Sequence, residues 1–259
     1  MSNSRQSNDI ASFVHDYASG TMVPSHVHDR DQLVYGSNGV MTVNAAAGVW
    51  VTPPDRAVWI PSGVEHSIRM SGTVAMRSLY FRARLVRGLP WACSVVGVSN
   101  LLKELILHVC ERGALKGSSA DDTSLIEFLI SQMQALAALP LELPTPTEPR
   151  ARRLAELLNV QWNQRVPLAQ LCRASGGSRR TLERLFRAET GLSLGRWRQR
   201  LVLIQALQEL GEGSSVTQVA FRAGYSSTSA FCVAFRNALG SSPSAYFNST
   251  QTSVGRAAD

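Results

Sequence analysis

The sequence lacks any run of about 18 or more apolar residues, which excludes a membrane-spanning helix. Its first nine residues, Met1 to Asp9, lack the basic-then-apolar pattern of a secretory signal. Together these absences lead us to expect a cytoplasmic protein with no membrane partner. Cysteine is scarce: Cys93, Cys110, Cys172 and Cys232 stand apart, none at CxxC spacing, and each sits among apolar neighbours. That pattern suits buried free thiols in a reducing compartment, with a redox-sensing thiol as the alternative. Lysine is absent from residues 150–259, which hold fifteen arginines and six acidic groups, a formal charge of +9. Residues 1–149 hold eleven basic and thirteen acidic groups, a charge of −2. A basic half joined to a near-neutral half is the footprint of one domain facing phosphates, although a solvated basic surface carries the same charge.

The chain's 259 residues suggest about two domains. A Pro-rich stretch at 140–149, with Pro140, Pro144, Pro146 and Pro149, predicts a semi-extended tether between them. Before it, short β-rich runs recur between residues 20 and 82. Leu33 to Ser37 and Val40 to Asn44 flank Asn38-Gly39, which predicts a type I′ hairpin. Val49 to Thr52, Ala57 to Ile60, Glu65 to Met70 and Val74 to Phe81 follow, each bounded by proline or glycine. The spacing predicts a sandwich or barrel over residues 1–90. Residues 91–139 then read as a helical pair. Leu101, Leu102, Leu105, Ile106 and Val109 recur at helical spacing, as do Leu125, Phe128, Leu129, Met133 and Leu136 after a cap at Asp121-Asp122-Thr123. These stripes pack either on the barrel or against a second subunit, so a homodimer is one of two readings.

Residues 150–250 predict an all-α domain that repeats itself, with a polar tail at 251–259. A helix at Arg152 to Trp162 leads in. Residues 168–189 and 216–239 each read as helix, tight glycine turn, helix. In the first copy Leu168, Leu171 and Cys172 form one apolar face, Gly176-Gly177 turns, and Ser178 caps a second helix anchored by Leu182, Leu185 and Phe186. In the second copy the face is Val216, Val219 and Ala220. Gly224 turns, Ser226 or Ser227 caps, and Phe231, Ala234 and Phe235 anchor. A helix from Ser193 to Leu210 separates the copies by about 27 Å, near one DNA turn of about 34 Å.

Each second helix has to expose the face opposite its anchors. In the first copy that face holds Arg179, Arg180, Glu183, Arg184 and Arg187. Arginine's fork bonds guanine O6 and N7 together, and glutamate accepts from cytosine N4. Ser178 leaves the helix N-terminus, with its free N–H groups, to a phosphate. In the second copy Ser227, Thr228, Ser229, Cys232 and Arg236 are the candidates.

The stretches LAQLCRASGGSRRTLERLFRAETGLSLGRW and VTQVAFRAGYSSTSAFCVAFRNALGSSPSAYF resemble the AraC/XylS family of bacterial transcriptional regulators. The resemblance covers residues 150–248. It implies sequence-specific binding to double-stranded promoter DNA, with Arg180, Glu183 and Arg184 as base readers of the first copy. Thr228, Ser229 and Cys232 are the matching readers of the second. It leaves RNA polymerase open as a further partner. Val233 stands where many members have an arginine, so the second reader is expected to contribute contact and shape more than hydrogen-bonded readout.

In the N-terminal half, His26-Val27-His28, Gln32 and Gly39 follow Gly20 at the spacing of one cupin motif, and Pro61-Ser-Gly63-Val-Glu-His66 resembles the second. The cupin resemblance implies a β-barrel and, carried over by position, the metal ligands His26, His28, Gln32 and His66. Independently, alternate residues of one strand share a face, so His26 and His28 point to one ion. Imidazoles suit zinc, nickel, copper or iron. Gln32 stands where the family has an acid, and three neutral imidazoles still suffice for zinc with water. The other readings are an organic effector bonded to these histidines, or no ligand. His15 and His108 have no partners in sequence and read as ordinary. Trp50 and Trp59 lie in barrel strands, where they either pack the core or line an apolar effector pocket.

These features predict an α+β protein: a cupin-like sensor barrel with trailing helices, then an all-α domain with two helix-turn-helix motifs. Its function reads as a DNA-binding regulator that senses a small molecule or metal. The alternative, a metal-dependent cupin enzyme tethered to DNA, lacks the acid ligand and has only Glu65, Asp29 and Asp31 near the motifs as general acids or bases. No enzyme activity is expected.

Overall fold

Short β-branched and aromatic runs, cut by Gly and Pro, form the strands of the N-terminal half. The computed structural model describes residues 8–134, 142–164, 166–240 and 242–248. Its strands are β1 (Ile10–Tyr17), β2 (Met22–His26), β3 (Asp31–Tyr35), β4 (Val40–Ala45), β5 (Gly48–Thr52), β6 (Arg56–Ile60), β7 (His66–Ser71), β8 (Val74–Phe81) and β9 (Ser94–Gly97). Then come α1 (Asn100–Arg112), β10 (Ala114–Leu115) and α2 (Ala120–Gln134). One sheet runs β10-β1-β8-β3-β6-β9; in the other β5, β4, β7 and β2 follow in order. The two sheets are not closed into a barrel; they make an open, cupin-like jelly roll.

The Asn38-Gly39 turn does not close a hairpin. β3 and β4 belong to different sheets, so the turn carries the chain across the sandwich. Asn38 Nδ2 donates to Thr73 O at 3.0 Å. Gly39 has φ +75°, and a Cβ there would lie 2.5 Å from Thr73 O, so only glycine fits this crossing.

The helical pair buries its stripes on the first sheet. Leu102, Ile106 and Val109 of α1 and Ile126, Leu129 and Met133 of α2 pack with Leu33, Tyr35, Trp59, Leu79 and Phe81. Leu101 and Phe128, expected in those stripes, stay 49% and 45% exposed, and Leu136 lies outside the described residues. The expected cap at Asp121-Asp122-Thr123 also differs: α2 begins at Ala120, and Asp122 is buried. Asp122 accepts from Arg112 Nη2 at 2.6 Å and from Lys116 N at 2.8 Å, tying α2 to the end of α1.

The chain divides into two compact units, Met1–Ala46 with Trp50–Glu142 and Ala47–Val49 with Leu143–Asp259. Of the stretch predicted as a tether, Leu143 to Pro149 belong to the second unit, Glu142 to the first, and Pro140 and Leu141 lie outside the described residues. β11 (Glu142–Pro144) is a short strand. Thr145 N donates to Ala47 O, and Trp197 Nε1 donates to Pro144 O at 2.9 Å. The N–H groups of Thr147 and Glu148 both donate to Glu189 Oε2.

The second unit continues with α3 (Pro149–Val160), α4 (Leu168–Ala174), α5 (Arg179–Thr190), α6 (Leu194–Gly211), α7 (Val216–Arg222), α8 (Thr228–Leu239) and α9 (Pro243–Asn248). α3 starts earlier than expected because Glu148 caps it and Pro149 fills the first turn, where a missing N–H costs nothing. α6 buries Leu194, Trp197, Leu201, Ile204 and Leu207 along its length. The tail at 251–259 lies outside the described residues. No described helix is long and apolar enough to cross a membrane.

Candidate functional site

Each copy of the repeat builds a helix that is fixed on one side and bare on the other. In the first, Leu171 and Cys172 of α4 are buried, and Ser175 Oγ donates to Cys172 O at 2.8 Å to close the turn. A Cβ on Gly177 would come within 3.0 Å of the Leu182 side chain, so glycine lets α5 sit close. Ser178 Oγ accepts from Thr181 N at 3.2 Å as the N-cap. Leu182 and Phe186 are fully buried, and Phe186 meets Trp197 edge-on at 5.3 Å. Leu185, expected inward, is half-buried. Opposite the anchors, Ser178, Arg179, Arg180, Arg184 and Arg187 are exposed and Glu183 is half-buried. Among the described residues no ion pair neutralises these four arginines.

In the second copy Ser215 and Gln218 form a reciprocal capping box on α7. Gly224 turns with φ +85°, and Ser227 Oγ accepts from Ala230 N at 3.2 Å as the cap of α8. Phe231, Phe235 and Leu239 are buried, with Phe231 against Tyr225 and Phe235 against Tyr246, each pair at 5.5 Å. Ala234 is half-buried. Ser227, Ser229 and Arg236 are exposed, and Thr228 and Cys232 are half-buried. Val233 is 60% exposed.

In the first unit His26, His28 and His66 converge, with one ring nitrogen of each within 4.8 Å of the others. Strand alternation does not explain this. β2 ends at His26, and His28 lies two residues further on, outside the strand. What joins them is the β2–β7 register, which sets His26 opposite His66. The ring centroids stand 4.3 Å (His26–His66), 5.0 Å (His28–His66) and 6.0 Å (His26–His28) apart.

Every Nδ1 of the trio faces a backbone carbonyl: His26 to Pro24 O at 2.9 Å, His28 to Arg30 O at 2.5 Å, His66 to Val64 O at 3.0 Å. A carbonyl only accepts, so each Nδ1 carries a proton, which leaves Nε2 as the nitrogen with a lone pair to offer; at His28 this requires the Gln32 amide to turn its NH2, not its Oε1, toward Nε2, with Tyr80 OH then donating to Oε1. The His66 Nε2 is buried with no hydrogen-bond partner among the described residues. Burial, aided by the neighbouring His26 and His28, pushes its pKa down to about 4, so His66 is neutral at neutral pH.

Gln32 stands beside this trio. One end of its amide lies 2.9 Å from His28 Nε2, and the other lies 3.0 Å from Tyr80 OH. An ion on His28 Nε2 has to displace that amide. Tyr80 escapes sequence reading; its signal is the antiparallel register that pairs it with Gln32, which spacing does not show.

Trp50 and Trp59 do not share a pocket. Trp50 lies in the second sheet, buried, its indole N–H without a partner among the described residues. Trp59 lies under the helices of the first sheet and lines a cavity of about 530 Å³ with Asp31, Arg84, Arg87, Leu89 and Trp91. The Asp31 carboxylate is taken up by the backbone, accepting from Ser62 N at 2.8 Å and Arg84 N at 3.1 Å. Glu65 is taken up by Ser25 Oγ. Burial pushes the thiols of Cys93 and Cys110 up to about 11, which disfavours a redox-sensing thiolate there.

Known proteins carry the same two parts. A family model described as an AraC-like ligand binding domain matches residues 13–129, and one described as a helix-turn-helix domain matches residues 171–249. The HTH-type transcriptional regulator NimR of Escherichia coli (strain K12) is 34% identical over 240 residues, covering 92% of this chain and 86% of that protein. The HTH-type transcriptional activator RhaR of Klebsiella pneumoniae is 20% identical over 240 residues, covering 84% of this chain and 85% of that protein. Among solved structures, the DNA-binding domain of AdpA in complex with a target DNA is 32% identical, covers 40% of this chain and 93% of that one, and has a TM-score of 0.36.

Proposed function

The chain belongs to the AraC family of helix-turn-helix transcriptional regulators, and from that premise we propose that its N-terminal jelly roll senses a divalent transition metal through His26, His28 and His66. Its relatives are regulators, so the reading as a tethered enzyme falls. The observation that carries the metal reading is the convergence of three imidazoles, each with its Nδ1 set on a backbone carbonyl. That is how proteins fix the tautomer and aim of histidines that ligate metals. Three neutral imidazoles suit zinc, nickel, copper or iron(II). When bound, the ion supplies a fixed positive charge that links the end of β2 to the start of β7. It regulates only if the DNA-binding and non-binding states hold it with different affinity.

In this reading α5 and α8 enter the major groove of promoter DNA. α5 reads bases through Arg180, Glu183 and Arg184, while Ser178, Arg179 and Arg187 hold the backbone. Pairing of two chains sets such readers on repeated half-sites, and RNA polymerase is the partner through which the bound regulator acts. The reading places the protein in the cytoplasm. Calorimetric titration of metal-free protein with Zn²⁺, Ni²⁺, Cu²⁺ and Fe²⁺ tests the sensor: one site per chain is expected, lost in His26→Ala and in His66→Ala. Equal binding by wild type and both variants overturns it.

A second reading, an organic anion as effector, draws on the Trp59 cavity. Its exposed Arg84 and Arg87 have no ion-pair partner among the described residues, and Trp91 is 81% exposed beside them. Aromatic carboxylates that alter DNA affinity in the wild type but not in an Arg84→Gln/Arg87→Gln variant would favour it over metal.

A further inference from the structure

The two reader helices align residue for residue on their own anchors. The caps Ser178 and Ser227, the buried Leu182 and Phe231, the buried Phe186 and Phe235, and the terminal Gly191 and Gly240 keep the same intervals. In that register Arg184 of α5 corresponds to Val233 of α8, and Arg180 corresponds to Ser229. At 100° per residue Val233 falls near the middle of the face opposite Phe231 and Phe235, with Ser229 and Arg236 on one flank and Ala230 and Asn237 on the other. All five are exposed. The first reader thus puts a guanidinium at the centre of its groove-facing surface, and the second puts an isopropyl group there.

Val233 is not one of the core anchors: it is 60% exposed, and the buried residues of α8 lie on the other side. The large apolar group on the major-groove base edges is the C5-methyl of thymine; the other bases offer hydrogen-bonding atoms and C–H groups there, but no methyl. We propose that Val233 reads thymine through its methyl group, so that the second reader selects an A·T pair at the position where a guanidinium would select guanine. This rests on the reading of α8 as the groove-entering helix. Cap Ser227 and last-turn Arg236 then set the register on the backbone, and Val233 supplies the preference.

The test uses full-length protein on a duplex selected from a random-sequence library. Each thymine in turn is replaced by deoxyuridine, which removes only the methyl. One buried methyl group predicts about a three- to fivefold loss of affinity at one or two thymines of the half-site bound by the second reader. Val233→Ala should erase that penalty, binding dT and dU duplexes alike, with its melting temperature and its first half-site preferences unchanged. Val233→Arg should shift the preferred base at that position toward guanine. A deoxyuridine penalty that persists in Val233→Ala, or no penalty at any second-half thymine, overturns the proposal. If randomising the whole second half-site leaves affinity unchanged, α8 reads no bases, and the underlying reading fails with it.

Discussion

Replacing Arg180 by alanine removes one guanidinium and disturbs little else. The side chain is exposed, lies in the first turn of α5 and has no ion-pair partner among the described residues. Alanine is at least as good a helix former, so folding stability should change by no more than about 0.5 kcal/mol. On DNA the consequence is specific. First-turn residues of a recognition helix face base edges, and a bidentate arginine–guanine pair gives about 1–3 kcal/mol of discrimination. That is roughly 5- to 150-fold in affinity, confined to one base pair. Fluorescence anisotropy on the preferred duplex and its single-base variants, repeated at several salt concentrations, measures it. The variant should bind the preferred duplex and its mismatch at that position about equally, with the salt dependence unchanged. Arg187→Ala, in the last turn, is the contrast: it should weaken all duplexes alike and reduce the log–log salt slope by about 0.9. A uniform loss with a reduced slope for Arg180→Ala would show that this residue touches phosphate, refuting the assignment.

Phe186→Ala removes a fully buried ring that meets Trp197, and should cost about 3–5 kcal/mol, seen as a lower urea midpoint for the second unit. Asp122→Ala leaves Arg112 and the Lys116 N–H without their carboxylate and should cost roughly 3 kcal/mol in chelator-treated protein; a change below about 0.5 kcal/mol would mean the clamp adds nothing. His66 is held neutral in the fold, with a pKa near 4 against 6.5 when unfolded, so the native state binds fewer protons between these values. Metal-free protein should therefore lose stability as pH falls from about 6.5 through about 4, and His66→Gln should flatten that dependence in urea titrations at stepped pH.

The second unit is the more legible half, because its signals are local. Helical periodicity, serine caps and glycine turns gave both copies within a residue or two, and α6 begins one residue after its cap, Ser193. The first unit depends on long-range pairing that spacing does not encode. Asn38-Gly39 has the composition of a hairpin turn, yet its strands pair elsewhere. His26 and His28 share a motif, but the β2–β7 register brings them to His66, and the β3–β8 register brings Tyr80 to Gln32. Trp50 and Trp59 looked alike as strand tryptophans, and only the sheet order separates them. The proline stretch reads as a tether because its composition is that of one; the hydrogen bonds from Thr147 and Glu148 to Glu189 lie some forty residues away in sequence.

The claim that this regulator answers to a metal is tested most directly by measuring metal content and operator affinity on the same full-length, untagged protein, before and after chelation. The account predicts about one transition metal per chain, an altered operator affinity when it is stripped, recovery on adding it back, and none of these in a His26→Ala/His66→Ala variant. A wild-type protein that carries no metal, takes none up, and binds its operator equally well with and without chelator would contradict it.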